Sequence, residues 1–265
     1  MCFFQYCLTV LRLGFKSKTI YRMSAWLGSI SSVTTFLIQI MIWWALLGTG
    51  ERFGTTFEMM LTYSVLTQMA SAFVASFSGQ TISTLIQTGD ISAYLVRPLK
   101  LKRHLFLDDF GKNLFDVLLL NLPVCLLLVL FGGFSVPDDP WVIVTSAIML
   151  INGMVMLFHY RYILGMLSFW LIKNPFTSWG FQNAESVFSG KFLPLWLCPQ
   201  WLDVLSQFLP FRYFTYAPVA LFVGKEPLSS AGQTLVIQFV WIAFLVGLEK
   251  LVSTKAYKKL IVQGG

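Results

Sequence analysis

Charged side chains are scarce in this sequence. Only 12% of its 265 residues are Asp, Glu, Lys or Arg, whereas 56% are hydrophobic. A soluble domain carries about 25% charged residues, so this chain lacks much of the polar surface that keeps such a domain in water. The shortage excludes an ordinary soluble globular protein.

Recognisable catalytic and ligand-binding motifs are also missing. The sequence has no GxxxxGK[ST] phosphate loop, and its two histidines, His104 and His159, are far apart. Interfacial or packing roles are expected for both histidines, and reduced thiols for the four cysteines. Adjacent helical residues point in different directions, so Asp108 and Asp109 are interpreted as a solvated helix end. We therefore expect no catalytic residue and no metal site.

The charges that are present are segregated along the chain. Five stretches contain no Asp, Glu, Lys or Arg, namely 23–50, 59–89, 117–137, 140–160 and 227–248. Each can hold the roughly 18 to 20 apolar residues that cross a bilayer as a helix. They predict membrane spans at about 27–47, 59–77, 114–134, 141–158 and 231–248.

Lys and Arg residues indicate how these spans are oriented. They concentrate in the N-terminal segment, the loop before the third span and the C-terminal tail, as cytoplasmic segments do. Both termini are then cytoplasmic and the number of crossings is even, so a sixth span is predicted at 176–192. This arrangement places fifteen Lys and Arg residues inside and four outside. Membrane topology thus accounts for the basic residues, and nucleic-acid binding is not expected.

The segment before the last span has an unusual composition. Prolines interrupt its aromatic sequence every few residues, at positions 194, 199, 210, 218 and 227. Proline lacks a backbone donor and clashes with the preceding turn, so short helices are expected here. Such helices could dip into the outer leaflet with Trp and Tyr at headgroup depth, or they could form an interfacial cap without a transport role.

The stretch TGDISAYLVRPLKLKRHL, at 88–105, contains one acidic and four basic residues. Gly89 is a good residue for ending a helix, and Asp90 can cap the next short helix through its carboxylate. Pro98 ends that helix, since the residue before proline is pushed out of helical space. One face of the short helix is apolar and consists of Ile91, Tyr94 and Leu95. This face lies either on lipid headgroups or in a groove of a partner protein.

Four stretches of the chain, in this order, resemble the type-2 ABC exporter permeases, in the subfamily of small bacterial six-span proteins. They are GDISAYLVRPL at 89–99, FW at 169–170, the outer segment 188–224 with its PF…Y.P core, and the Y…GG tail at 257–265. The resemblance covers essentially the whole chain. LCPQWL at 197–202 departs from the plainer aromatic-proline pattern of that family.

The resemblance implies an all-α integral membrane fold with six transmembrane helices in a single permease domain, 1–265. It implies an N-terminal amphipathic interfacial helix at 1–24 and a cytoplasmic coupling loop at 79–105 that carries a coupling helix. Short extracellular re-entrant helices at 190–228 precede the last span. The implied location is the bacterial cytoplasmic (inner) membrane, with a multi-pass topology and both termini cytoplasmic.

The resemblance also implies a function and partners. The chain would be the permease of an exporter, for instance in multidrug or peptide efflux, and would not itself be an enzyme. Two separate ABC ATPase subunits would bind ATP and Mg, with no cofactor on this chain, and a second permease chain, identical or related, would complete the transporter. The ATPase would be contacted by the residues that match the family's coupling helix: Asp90, Ile91, Tyr94, Leu95, Arg97 and Pro98.

Polar side chains inside the spans are candidates for lining a substrate path: Gln39, Asn121, Asn152, Gln182, Asn183 and Gln238. A buried amide more often joins two helices, so both roles are open. An alternative function is a secondary, ion-coupled transporter of amphiphilic molecules, which needs acids at mid-membrane such as Glu185 or Asp116. A membrane enzyme or a structural assembly factor is a third interpretation, but no paired catalytic groups support an enzyme.

Overall fold

The computed structural model describes residues 3–20, 22–48, 54–91, 101–123, 126, 134–171 and 175–263. These residues are almost entirely helical, which confirms the all-α class expected from the sequence. The helices have these bounds: α1 Phe3–Ile20, α2 Arg22–Leu47, α3 Phe57–Val74, α4 Ser78–Thr88, α5 Leu101–Phe115, α6 Pro140–Met166, α7 Pro175–Phe188, α8 Gln200–Gln207, α9 Tyr216–Phe222 and α10 Leu228–Gln263. A π-helical turn, Asp116–Asn121, continues α5.

Within the described residues, three helical stretches are long and apolar enough to cross a membrane. They are Phe57–Thr88, Pro140–Phe169 and Leu228–Ala256, and they contain the spans predicted at 59–77, 141–158 and 231–248. A shorter apolar stretch of α2, Val33–Leu47, lies inside the span predicted at 27–47. The chain therefore has the helices of a multi-pass membrane protein, and the total of six spans stays a prediction.

Two of the predicted spans are not matched by a long helix. Much of the one at 114–134 falls at residues 124–125 and 127–133, outside the described residues. The one predicted at 176–192 corresponds to α7, a helix of 14 residues that ends at Phe188. Gly190 follows in a left-handed conformation, so the helix does not run on to residue 192.

Helix α6 lies at the centre of the fold. It packs against α3, α4, α9 and α10. Its sequence is apolar on all sides, with Met149, Met156, Leu157 and Met166 almost fully buried, as expected of a helix surrounded by others. These four helices are therefore positioned relative to α6.

Helix α1, within the segment predicted to be an interfacial helix, packs closely on α5. Gly14 and Gly111 lie where the two helices cross, and a Cβ at either position would collide with the backbone of the other helix. The crossing is flanked by a hydrogen bond of 3.1 Å between Tyr6 Oη and His104 Nδ1. Outside the contact, α1 exposes large apolar side chains, among them Phe4, Leu13 and Ile20.

Residues 190–228 form short helical pieces separated by prolines. Single 3₁₀ turns, Leu195–Leu197 and Pro210–Tyr213, alternate with α8 and α9. Pro194, Pro199 and Pro210 each stand at or just before the start of a piece, where a missing N–H costs nothing. The expected breakdown into short helices is confirmed, and their position relative to the membrane stays a prediction.

Candidate coupling site

Helix α4 ends where the sequence predicts. Gly89 adopts φ +79°, and its N–H donates a hydrogen bond of 3.3 Å to the carbonyl of Ile86. The left-handed conformation explains the glycine, because a Cβ would be strained there. Asp90 follows in an exposed turn, and its carboxylate accepts a hydrogen bond of 2.7 Å from the Thr88 hydroxyl. Residues 92–100, which lie outside the described residues, follow Ile91.

The two residues that flank 92–100 are buried in one apolar cluster. Ile91 is 1% exposed and Leu101 is 5% exposed. Their cluster includes Ile82 of α4, Met166 of α6 and Ala256 of α10. The residues on either side of 92–100, a stretch that we call the coupling segment, are therefore both packed on the helices that lead into the membrane.

Only two of the six residues predicted to contact the ATPase lie among the residues that the structure describes. Tyr94, Leu95, Arg97 and Pro98 lie outside the described residues. Asp90 is exposed, whereas Ile91 packs against the chain's own helices. The predicted contact with an ATPase stays a prediction for all six residues, and Ile91 has a structural role as an anchor.

Glu249 of α10 connects three helices near the coupling segment. Its Oε2 lies 2.9 Å from Lys102 Nζ, in the first turn of α5, and also contacts Nδ1 of His159 on α6. Glu249 is only 6% exposed. A buried carboxylate loses its hydration, so it depends on such partners. The contact ties the helix that follows the coupling segment to the two long membrane helices.

A break separates α3 from α4, and α5 stabilises it. Residues 75–77 are not helical, so backbone groups around them lack their usual intrahelical partners. The Asn113 side-chain amide, fully buried, donates to the carbonyls of Phe73 at 2.8 Å and Ala75 at 2.7 Å. One side chain of α5 thus satisfies two carbonyl groups at the break.

Asp109, one turn before Asn113, binds the same break. Its carboxylate accepts hydrogen bonds from the Ser76 hydroxyl at 2.8 Å and the Phe77 backbone N–H at 3.2 Å. Burial raises the pKa of Asp109 to about 6, although these hydrogen bonds and the charge of Lys112 act in the opposite direction. The break is therefore held by two buried polar residues of α5, one of which can change its charge.

Helices α4 and α6 approach closely through glycines. A Cβ on Gly165 would lie 2.8 Å from the carbonyl oxygen of Gly79, and a Cβ on Gly79 would lie 2.6 Å from that of Arg161. Only residues without a side chain fit at this distance, as at many helix crossings in membranes. Helix α4 is thus fixed to α6 just before the coupling segment.

Comparison with known families identifies the type of protein. A family model described as ABC-2 family transporter protein matches residues 29–264. The chain belongs to this family. Comparisons with curated proteins and with solved structures gave no match.

The ABC-2 permease is accordingly a multi-pass membrane protein and the membrane component of an ABC transporter. The resemblance to type-2 ABC permeases is confirmed. Members of this family are transport components that are generally not catalytic themselves, and membership implies pairing with an ABC ATPase. The match includes the coupling segment, its flanking helices and the short helices of 190–228.

Two of the six polar residues predicted to line a substrate path, Asn152 and Gln238, are hydrogen-bonded to each other. Gln238 is fully buried, and its Nε2 donates to the carbonyls of Met149 at 2.9 Å and Tyr213 at 3.0 Å. Asn152 Nδ2 donates to Gln238 Oε1 at 3.2 Å. These bonds join α6, α10 and the 3₁₀ turn before α9. The geometry is that of an interhelical contact, and a role in the path stays a prediction.

The other four candidates are dispersed. Gln39 Nε2 donates to the Lys191 carbonyl at 3.1 Å, and Asn121 Nδ2 donates to the Asp116 carbonyl at 2.8 Å within the π-helical turn. On α7, Gln182 is partly buried and Asn183 is exposed. The structure of one chain does not bring these four residues together with Gln238.

The acids that an ion-coupled transporter would need have cationic partners. Glu185 is buried and contacts the guanidinium of Arg161 and, at 3.0 Å, Lys191 Nζ. Asp116 lies 2.9 Å from Lys18 Nζ. Each carboxylate is thus compensated within the permease, which favours a structural role for both.

Sequence reasoning missed the polar residues of the coupling site. The interpretation of Asp109 as part of a solvated helix end is wrong, because the residue is 3% exposed and binds the α3–α4 break. Spacing could have revealed it, since Asp109 and Asn113 continue the i, i+4 row of the buried Leu101 and Leu105. The last predicted span, 231–248, ends just before Glu249, whereas α10 continues to Gln263.

Proposed function

We propose that this permease exports its substrate across the bacterial cytoplasmic membrane, driven by a separate ATPase. Two ABC ATPase subunits bind ATP and Mg and hydrolyse the nucleotide. A second permease chain, identical or related, completes the transporter, and the substrate passes between the two permease chains. Both termini and the coupling segment face the cytoplasm, where the segment docks on the ATPase.

The anchoring of the coupling segment is the observation that supports this proposal most directly. Ile91 and Leu101 hold both of its ends in one buried cluster with α4, α6 and α10. A displacement of Ile91 or Leu101 acts on the helices packed around them, since packed interiors resist compression.

Three contacts transmit a displacement of α4 or α5 to the neighbouring helices. Through Gly79 and Gly165, displacement of α4 acts on α6. Through Lys102 and Glu249, displacement of α5 acts on α10. Asp109 joins α5 to the break after α3, so displacement of α5 also acts on that break. Packed side chains, hydrogen bonds and ion pairs of this kind can carry energetic coupling between distant sites.

The docking role can be tested by the double substitution Tyr94→Ala and Leu95→Ala. We expect the ATPase to stop co-purifying with the permease and transport-coupled ATP hydrolysis to fall about tenfold, because an apolar anchor is lost from the interface. Thr84→Ala, on the exposed side of α4, is the control and leaves both unchanged. Unchanged co-purification and hydrolysis in the double variant would show that the segment does not dock.

The orientation can be tested separately by labelling. In a cysteine-free background, Gln87→Cys marks the end of α4 and Ser229→Cys marks the start of α10, both at exposed positions. A membrane-impermeant maleimide added to intact cells is expected to label residue 229 but not residue 87. The opposite pattern would reverse the topology and remove the ATPase from the coupling segment.

A further inference from the structure

A cavity of about 640 Å³ opens between the short helices of 190–228 and the beginning of α10. Its apolar part is formed by Met149 and Tyr213 together with Ile237, Val240 and Trp241 of α10. This volume lies within the range of small-molecule sites, roughly 300–1,000 Å³. The coupling site uses none of these residues, and the cavity is a separate feature of the permease.

Polar side chains gather at one end of the cavity. Arg212 is buried there, and its guanidinium contacts the carboxylate of Asp203, the Ser206 hydroxyl at 2.8 Å and Glu226 Oε1 at 3.1 Å. Two carboxylates thus surround one cation, which leaves this end negative. The Glu226 side chain is 36% exposed and lines the cavity. An occupant with a positively charged hydrogen-bond donor would complement it.

The neighbouring cation does not neutralise this charge. Lys225 directs its Nζ to the Gly54 carbonyl and lies over the Trp196 ring, 5.6 Å from the centroid. The amides of Gln207 and Gln233 also line the cavity. Gln207 Nε2 also donates to Asp203 Oδ2 at 3.4 Å, and its second N–H and the Gln233 amide can donate to oxygen atoms of an occupant.

Apolar surfaces border the cavity on two sides. Helix α8 and the residue after it expose a row at i, i+3, i+4 and i+7, made of Trp201, Val204, Leu205 and Phe208. On the other side, α10 exposes Val236, Phe239 and Val240. In a membrane protein such surfaces lie against lipid, and an amphipathic helix like α8 lies in the interface. A lipid molecule can therefore reach the cavity from the bilayer.

We propose that the cavity binds one ammonium-headed membrane lipid of the phosphatidylethanolamine type. The ammonium group donates to Glu226, the amides at the cavity's polar end donate to the phosphate, and one acyl chain lies along Ile237 and Val240. The volume suits a headgroup with the adjoining part of one chain, while the rest of the lipid stays in the bilayer. The bound lipid then joins the short helices to α10.

This inference depends on the membrane location of the chain, which family membership shows, and not on the proposed docking of an ATPase. The two can therefore fail independently. The binding experiment needs only the purified permease in detergent, whereas the docking experiment measures ATPase co-purification and hydrolysis.

Native mass spectrometry of the purified permease tests the lipid site. Palmitoyl lysophosphatidylethanolamine and palmitoyl lysophosphatidylglycerol are titrated onto the wild type and three variants. Thr234→Trp fills the cavity, Ser229→Trp adds the same ring at an exposed position outside it, and Glu226→Gln removes the charge while keeping an acceptor for Arg212.

We expect the wild type to bind the ethanolamine lipid about tenfold more tightly than the glycerol lipid, as one charge-assisted hydrogen bond provides. Thr234→Trp should lose this binding and Ser229→Trp should keep it. Glu226→Gln should bind the two lipids equally. Binding in Thr234→Trp at the wild-type level, or a preference that survives in Glu226→Gln, overturns the proposal. If Thr234→Trp does not fold, Glu226→Gln decides alone.

Discussion

Lys102 Nζ and Glu249 Oε2 lie 2.9 Å apart, and this ion pair joins the start of α5 to the last membrane helix. His159 contacts the same carboxylate oxygen. The three residues come from distant parts of the sequence and meet beside the buried cluster that anchors the coupling segment. Any movement of α5 relative to α10 must break or carry this contact.

The substitution Glu249→Gln should weaken both stability and coupling. It leaves Lys102 and His159 without an anionic partner in a largely buried place, and we expect the free energy of unfolding to fall by about 2 kcal/mol, because Lys102 is partly exposed. Thermal unfolding in detergent measures this loss. Glu58→Gln, at an exposed acid in the first turn of α3, is the control. Equal unfolding temperatures of the two variants would contradict the role of the pair.

The substitution Gly165→Ala should force α4 away from α6. The added methyl group would lie 2.8 Å from the Gly79 carbonyl oxygen, which is closer than van der Waals contact allows. We expect a loss of about 1–3 kcal/mol in thermal unfolding, as for other overpacked sites, together with lower transport-coupled ATP hydrolysis. Gly247→Ala, where a Cβ meets nothing within 4 Å, should have no such effect. A stable and fully coupled Gly165→Ala variant would show that the crossing adjusts freely.

Asp109 should make the stability of the permease depend on pH. Its pKa is raised from 3.8 to about 6 in the folded chain, so folding favours the protonated carboxyl. The stabilisation is complete below pH 3.8 and is lost as the pH rises through 6, in total about 3 kcal/mol. Asp109→Asn should therefore unfold at a temperature that changes less between about pH 4 and 7 than that of the wild type.

The control for this pH profile is Asp138→Asn, which alters an exposed carboxylate. Its profile should follow that of the wild type. Parallel profiles for the wild type and Asp109→Asn would mean that Asp109 does not titrate in this range in the folded permease.

The substitution Gln238→Leu should separate a structural from a transport role for the buried amide. Loss of the amide leaves the carbonyls of Met149 and Tyr213 and the Asn152 amide without this partner, and we expect a cost of about 2 kcal/mol in thermal unfolding. Gln87→Leu, at an exposed amide of α4, should cost little. A change in the KM for transport at an unchanged unfolding temperature would instead place Gln238 in the substrate path.

Local signals in the sequence predicted part of this fold. The uncharged apolar runs gave the positions of three long helices, because hydropathy over such a length depends on no distant residue. Gly89 marked the end of α4, and the prolines of 190–228 marked the starts of short helices. In each case the chemistry that fixes the structure lies within a few residues of it.

The break between α3 and α4 could not be predicted in this way. Its sequence, Ala75, Ser76 and Phe77, contains neither glycine nor proline. The break is stable because Asp109 and Asn113 of α5 bind its backbone, and such distant partners leave no trace in the local pattern.

The apolar face predicted for the coupling helix shows a related limit. Periodicity indicates that Ile91 is buried but not which surface buries it. In the structure that surface belongs to α4, α6 and α10 of the same chain. The sequence predicted an apolar face directed to lipid or to a partner protein, whereas Ile91 of that face packs inside its own chain.

The close crossing of Gly14 in α1 with Gly111 in α5 has a consequence for biogenesis. The ribosome synthesises α1 first, and α2, α3 and α4 must all emerge before α5 exists. During translation the nascent α1 thus lacks the α5 surface that it packs against, and its exposed Phe4, Leu13 and Ile20 suit temporary residence on the lipid next to the insertion machinery. Insertion of the later helices has to precede the final docking of the first one.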